Sequence, residues 1–234
     1  SNAVNKGVIF KNGSKLVYKG GKSFFKAASS SVVPIVFAPG STCRFEASVP
    51  NSYSDSSLFF SNRTFSNVEV ASNVSVNADD FYNIDNLLIE NGARFNLKVT
   101  GTAPVSGSIT NNGTFGSCPG FSSSNLLMKG NALQTIGGTG TFNPLGAITI
   151  GAESNVEMNA NLVVNGTANS IIHGKLNLKN YTITGIATLQ TKAAGTISSS
   201  VTSGTIGSHT ITLPSVSGIY TGMKITGAGI PAGA

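Results

Sequence analysis

Apolar residues recur along this chain in a fixed relation to a tight corner. The pattern is Φ-x-x-G-S/A-x-Φ-x-Φ, where Φ is apolar. It occurs at 10–18 (FKNGSKLVY), 37–45 (FAPGSTCRF) and 89–97 (IENGARFNL), with Gly13, Gly40 and Gly92 at the corner. The stretch 148–158 (ITIGAESNVEM) repeats it with Glu153 in the glycine position and Gly151 two residues earlier, and 109–115 echoes it around Asn112-Gly113. Apolar residues at every second position mark a half-buried strand. Glycine and asparagine tolerate the positive φ that tight turns need. Each unit therefore reads as strand, corner, strand.

Other runs follow the same alternation. NVEV and NVSV lie at 67–70 and 73–76, and LLIEN and ARFNLKV follow between 87 and 99. In the run 162–185 (LVVNGTANSIIHGKLNLKNYTITG), Leu176, Leu178, Tyr181 and Ile183 are expected to point inward. From Asn91-Gly92 onward the turn signals Asn112-Gly113, Gly130-Asn131, Gly151 and Gly174 stand about 18–23 residues apart, an interval that suits one coil of a β-solenoid. The expected fold is all-β, a right-handed parallel β-helix (β-solenoid) with irregular coils; an antiparallel β-sandwich is the alternative. Asn155, Asn159, Asn161, Asn165, Asn177 and Asn180 flank corners, where stacked amides can satisfy one another in ladders.

Composition sharpens this picture. Of 234 residues 40% are hydrophobic, enough for a sizeable core, while only 10% are charged against about 25% in ordinary soluble domains. Glycine (28 residues), Asn, Ser and Thr fill the gap, and all are poor interior helix formers. No convincing amphipathic helix is found, and no apolar run reaches the ~20 residues of a membrane helix. Residues 1–3 (Ser-Asn-Ala) read as the remnant of a cleaved tag. Residues 4–187 read as the solenoid, and 188–207 as a Ser/Thr/Gly-rich linker. Residues 208–234 read as the start of a second small β domain cut short, so the chain is expected to be a piece of a longer protein.

Charge is lopsided. Lys6, Lys11, Lys15, Lys19, Lys22, Lys26 and Arg44 all precede the first acid, Glu46, so the net charge of +6 belongs to the N-terminal segment. Lys11, Lys15, Lys19, Lys22 and Lys26, interleaved with Tyr18, Phe24 and Phe25, form a candidate anionic-ligand patch. The competing reading is a solvated strand face whose edge is protected by lysines. No nucleic-acid partner is expected. Cys43 and Cys118 are either two buried thiols or, in an oxidising compartment, a disulfide.

Candidate chemistry is sparse. Asp79, Asp80 and Asp85, with Asn77 and Asn83 beside them, offer hard oxygen ligands in a short turn, a candidate Ca²⁺ site; no other cofactor is implied, and a polar turn is the competing reading. His173 and His209 have no neighbouring ligands at metal spacing. No nucleophile elbow and no phosphate-binding loop is present. Asn-x-Ser/Thr sequons begin at Asn12, Asn62, Asn73, Asn112, Asn165 and Asn180, a number expected by chance in so Asn/Ser/Thr-rich a chain.

The phrases VFAPGSTCRFEAS, SLFFSNRTFSNVEV and ITIGAESNVEMNANLVVNG resemble the repetitive exported surface proteins of Bacteroidetes, and TGMKITGAGIPAG resembles a short β motif of such proteins and of phage tail fibres. The resemblance covers about two-thirds of the chain as scattered phrases. It implies a secreted or cell-surface, adhesin-like protein with a β-helix passenger and no catalytic residues. Three functions are therefore set side by side: a non-catalytic structural or adhesive segment that meets carbohydrate or cell surfaces, a phage tail-fibre segment, and a polysaccharide-active β-helix enzyme. The enzyme needs paired carboxylates, and Asp79-Asp80 is the only adjacent pair. The expectation is a protein that is not an enzyme, with its oligomeric state left open.

Overall fold

The computed structural model describes residues 8–21, 35–49, 60, 63–78, 81, 83–98, 101–118, 124–165, 168–186, 188–191, 203–204 and 211–212. The chain divides into two units, 1–191 and 192–234. The first is a parallel β-solenoid, and all of its paired strands run parallel. A β-sandwich, which needs antiparallel pairing, is thereby set aside. Among the described residues there is no helix, and no helix is long and apolar enough to cross a membrane.

Each coil offers three strand positions. Face A stacks β2 (Lys15–Tyr18), β4 (Thr42–Phe45), β5 (Thr64–Val70), β7 (Asn83–Ile89), β10 (Ile109–Asn111), β13 (Leu133–Gly137), β16 (Asn155–Asn159) and β19 (Lys175–Asn177). Face B stacks β6 (Ser75–Ala78), β8 (Arg94–Leu97), β11 (Thr114–Ser117) and β14 (Thr141–Phe142). The pair β17 (Leu162–Val163) and β20 (Ile183–Thr184) follows. Face C holds β9 (Thr102–Val105), β12 (Asn125–Met128), β15 (Ile148–Ile150), β18 (Ser170–Ile172) and β21 (Leu189–Thr191). At the first coils β1 (Val8–Phe10) pairs with β3 (Ile35–Phe37). Because β5 and β7 run on from one face into the next, faces A and C join into a single sheet.

The register fixes the coil lengths. Thr42 lies 27 residues beyond its partner Lys15, Asn86 lies 19 beyond Asn67, Ile109 22 beyond Leu87, and Ile136 27 beyond Ile109. The coils are irregular, as expected, and each strand buries its alternate residues. On face A, Cys43, Val68, Leu87, Ile109, Ile136 and Met158 form one buried column. Val76, Phe95, Phe115 and Phe142 line face B, and Leu126 and Ile148 line face C. Full burial of one such side chain contributes about 1.5–3 kcal/mol. A chain of touching phenylalanines threads the interior from Phe10 through Phe37, Phe65, Phe60, Phe95 and Phe115 to Phe142, with ring centroids 4.8–6.3 Å apart.

All four full copies of the sequence pattern form strand–corner–strand units whose Φ-x-Φ residues face inward. Three of them lead into face A, and 89–97 leads from face A into face B. Each corner is a β-turn closed by an N–H to C=O bond: Ser14 to Lys11 (2.9 Å), Ser41 to Ala38 (3.0 Å), Ala93 to Glu90 (3.0 Å) and Ser154 to Gly151 (3.0 Å). Gly13, Gly40 and Gly92 hold φ of 75°, 80° and 73°. Glu153 stands outside that region, so its corner closes without a left-handed residue. A further corner of this family, 71–74, places Asn73 at φ 61°.

Several expectations are revised. Of the four residues expected to point inward in the run 162–185, Leu176 and Ile183 pack on the core, whereas Leu178 and Tyr181 are exposed. Leu189–Thr191, placed in the linker, forms β21 and pairs with β18, so the solenoid unit continues to 191. Cys43 and Cys118 are both buried thiols and are not bonded to each other. Burial pushes the Cys43 thiol up to about 12. In the second unit the described residues form one antiparallel pair, β22 (Ser203–Gly204) with β23 (Ile211–Thr212).

Candidate functional site

Outward positions of face A come from the residues between the buried ones. They form two rows that cross the strands. One row runs Lys15, Thr42, Asn67, Asn86, and the second Val17, Arg44, Glu69, Leu88 and Thr110. Ser108 continues the first row, because its backbone N–H donates to Asn86 Oδ1 at 3.0 Å. Between the rows lies a shallow groove of about 290 Å³, lined by Thr42, Asn67, Glu69, Asn86, Leu88, Ser108 and Thr110.

The first row is a hydrogen-bonded ladder. Asn67 Nδ2 donates to the Ser41 carbonyl at 3.0 Å, and Asn86 Nδ2 donates to Asn67 Oδ1 at 3.0 Å. Thr135 N–H donates to Ser108 Oγ at 3.0 Å. These bonds fix the orientation of both amides and link five successive coils, each bond being worth about 1 kcal/mol net. A second ladder sits buried on face B, where Asn96 Nδ2 donates to Asn77 Oδ1 at 2.9 Å. Both ladders lie at strand positions. Of the corner asparagines expected to form them, Asn161 accepts from Thr182 N–H at 2.9 Å, Asn177 from Lys179 N–H at 3.0 Å and Asn159 from Lys179 Nζ at 3.1 Å. They cap turns and neighbouring side chains.

At the N-terminal end of the groove the second row becomes an ion-pair cluster. Arg44 reaches Glu90 Oε1 at 2.6 Å and Glu69 Oε2 at 3.2 Å through Nη1, and Glu46 Oε1 at 3.1 Å through Nε. Lys15 Nζ adds a contact to Glu69 Oε2 at 2.8 Å. Glu90 Oε2 also accepts from Ser72 N–H (3.0 Å) and Ser72 Oγ (3.1 Å). The Arg44 guanidinium, helped by Ser72, holds the Glu90 carboxyl below the usual range against the opposing effect of burial, and the bond to Glu90 raises Arg44 in turn.

The residues singled out in the sequence fall as follows. Lys15 pairs with Glu69, and Lys19 stands 3.9 Å from Glu46. Lys11 is exposed, while Lys22 and Lys26 lie outside the described residues. Asp79, Asp80 and His209 lie outside them too. Asp85 is in strand β7 and not in a turn; its Oδ1 accepts from Asn83 Nδ2 at 2.8 Å and from Ser106 Oγ at 2.6 Å. His173 is exposed. Among the described residues no group of three or more His, Cys, Asp or Glu is placed to hold a metal ion. The groove residues were not singled out, because they come from four coils of unequal length. A signal for them does exist: Thr42, Asn67, Asn86 and Ser108 each stand immediately before a Φ-x-Φ or Φ-x-Asn triplet on face A.

Fold and groove together define the class as a parallel β-solenoid with a polar, laddered outer face. No protein-family model matches the chain, and no curated protein or solved structure matches it either.

Proposed function

We propose that this chain is a non-catalytic segment of an exported, cell-surface protein that makes adhesive contact with carbohydrate through face A. The observation that carries this reading is the row Thr42, Asn67, Asn86 and Ser108, which sets small polar side chains on successive coils in one line. Low charge suits recognition by shape and hydrogen bonding, and a rigid coil stack holds that line without ordering loops. The acids beside the groove support a non-catalytic role. Glu46, Glu69 and Glu90 are each committed to Arg44, whereas glycoside hydrolysis needs one carboxyl to donate a proton while another acts as base or nucleophile.

The test is adhesion. Beads carrying the chain are washed over immobilised cell-wall polysaccharides, mucins and whole cells, beside beads carrying the Thr110→Arg variant. Retention of the native beads and loss of retention with the variant are expected. Retention no higher than with bare beads on every surface would sink the reading.

A further inference from the structure

Building on that reading, we infer that the groove on face A takes an uncharged, extended glycan chain lying along the solenoid axis, with one sugar per coil. Four features of the groove lead there.

The first is spacing. Neighbouring strands in a sheet stand about 4.8 Å apart, close to the advance of one pyranose in an extended, equatorially linked chain. Thr42, Asn67, Asn86 and Ser108 therefore present a polar group beside each successive sugar, and every second sugar, which has the same orientation in such a chain, meets it with the same ring edge. A ligand lying along one strand would meet alternating buried and outward positions and lose that repetition.

The second is unspent hydrogen-bonding capacity. Among the described residues the Thr42 and Thr110 hydroxyls have no partner. Ser108 Oγ accepts from Thr135 N–H, so its own proton remains available. Asn67 and Asn86 each use one amide hydrogen, on Ser41 and Asn67, leaving one hydrogen on each for a sugar hydroxyl. The ladder holds these amides in place before any ligand arrives, so binding loses little side-chain freedom.

The third is charge. The one ionised group lining the groove, Glu69, is bridged by Lys15 and Arg44. Arg44 is itself balanced by Glu46 and Glu90. Among the described residues no uncommitted cation lines the groove to meet a carboxylate or sulfate, and desolvating an unpaired anion there is unfavourable. This excludes the acidic glycans that the N-terminal lysines alone would suggest.

The fourth is an apolar side chain. Leu88, between Glu69 and Thr110 in the second row, lines the groove and offers an apolar surface to the C–H face of one sugar ring. Among the described residues no aromatic ring lines the groove, so each site is weak and strong attachment requires many engaged copies.

The experiment is a titration of ¹⁵N-labelled chain with neutral cello- and chito-oligosaccharides of two to six sugars and with oligogalacturonate of the same lengths, followed by amide resonances. The neutral series is expected to shift Thr42, Asn67, Asn86, Leu88, Ser108 and Thr110. Affinity should rise with length and level off near about four sugars, the number of coils spanned at about 4.8 Å each. Oligogalacturonate is expected to bind at least tenfold more weakly, and Thr110→Arg should abolish the shifts while the rest of the spectrum stays in place. Shifts that map elsewhere on face A, or tighter binding of oligogalacturonate at this groove, overturn the inference and leave the adhesive reading standing, whereas shifts confined to another face overturn both. Failure of every oligosaccharide to shift these residues overturns the inference, and if bead adhesion also fails, the adhesive reading falls with it.

Discussion

Gly13 and Gly138 both hold left-handed backbone angles, φ 75° and 116°, but for different reasons. Around Gly13 a β-carbon would meet nothing, so the residue is there only for its backbone freedom. At Gly138 a β-carbon would overlap the Asn111 backbone of the preceding coil, so glycine also permits close stacking. Gly13→Ala should cost about 1–2 kcal/mol, the left-handed penalty of an L-residue. Gly138→Ala should cost more, because backbone rather than a movable side chain blocks the new methyl. Urea midpoints of the two variants check the order, and equal midpoints would refute the stacking argument. Residue-level reading of the sequence succeeds at Gly13, Gly40 and Gly92, because positive φ has a local signature. It misses Asn73, which does the same job with a residue that also occurs throughout the strands. It also misplaces Leu178 and Tyr181, which open and close the turn after β19: Tyr181 N–H donates to the Leu178 carbonyl at 2.9 Å, and Lys179 between them holds φ 50°.

Strands and corners are the next scale, and here charge is decided between neighbours that are remote in sequence. Lys15 and Arg44 count as part of a basic N-terminal segment until register brings Glu69 and Glu90 beside them. The cluster ties β2, β4 and β5 to the corner after β7. Its pH dependence follows from Glu90, whose folded pKa is lowered chiefly by the bond from Arg44. The stabilisation is therefore present above the unfolded carboxyl value of about 4.3 and is lost as pH falls through the lower folded value. The loss of stability between pH 7 and pH 3 should be smaller in Glu90→Gln than in the native chain. Urea unfolding at the two pH values tests it, and an undiminished loss in the variant would remove Glu90 from the account. The groove belongs to the same scale and was hidden for the same reason. Thr42, Asn67 and Asn86 are separated by steps of 25 and 19 residues, so no fixed-period search aligns them. Corner geometry is written locally, whereas coil length is known only once the strands have paired.

Across the solenoid, backbone pairing joins each coil only to the coils before and after it, and the Arg44 cluster is a place where side chains reach one coil further. Stability is then close to a sum of coil terms and neighbour terms. Interior coils are held from both sides and contain the fully buried Phe60, Phe65, Phe95 and Phe115. The last described coil carries Leu189 half exposed. Amide exchange should therefore be graded along the axis, slowest in β5, β7 and β8 and fastest in β19 and β21. Mass-resolved exchange of peptides from these strands measures the gradient, and uniform protection would show a single cooperative block instead. The unequal coils have another consequence. Nineteen residues suffice to advance from Asn67 to Asn86 by one coil, while Lys15 to Thr42 takes 27 for the same advance. The longer coil thus carries sequence that the ladder does not need for closure. Such surplus is where a lineage can trade length and composition freely, or where a foreign epitope can be grafted, while the frame beneath keeps its register.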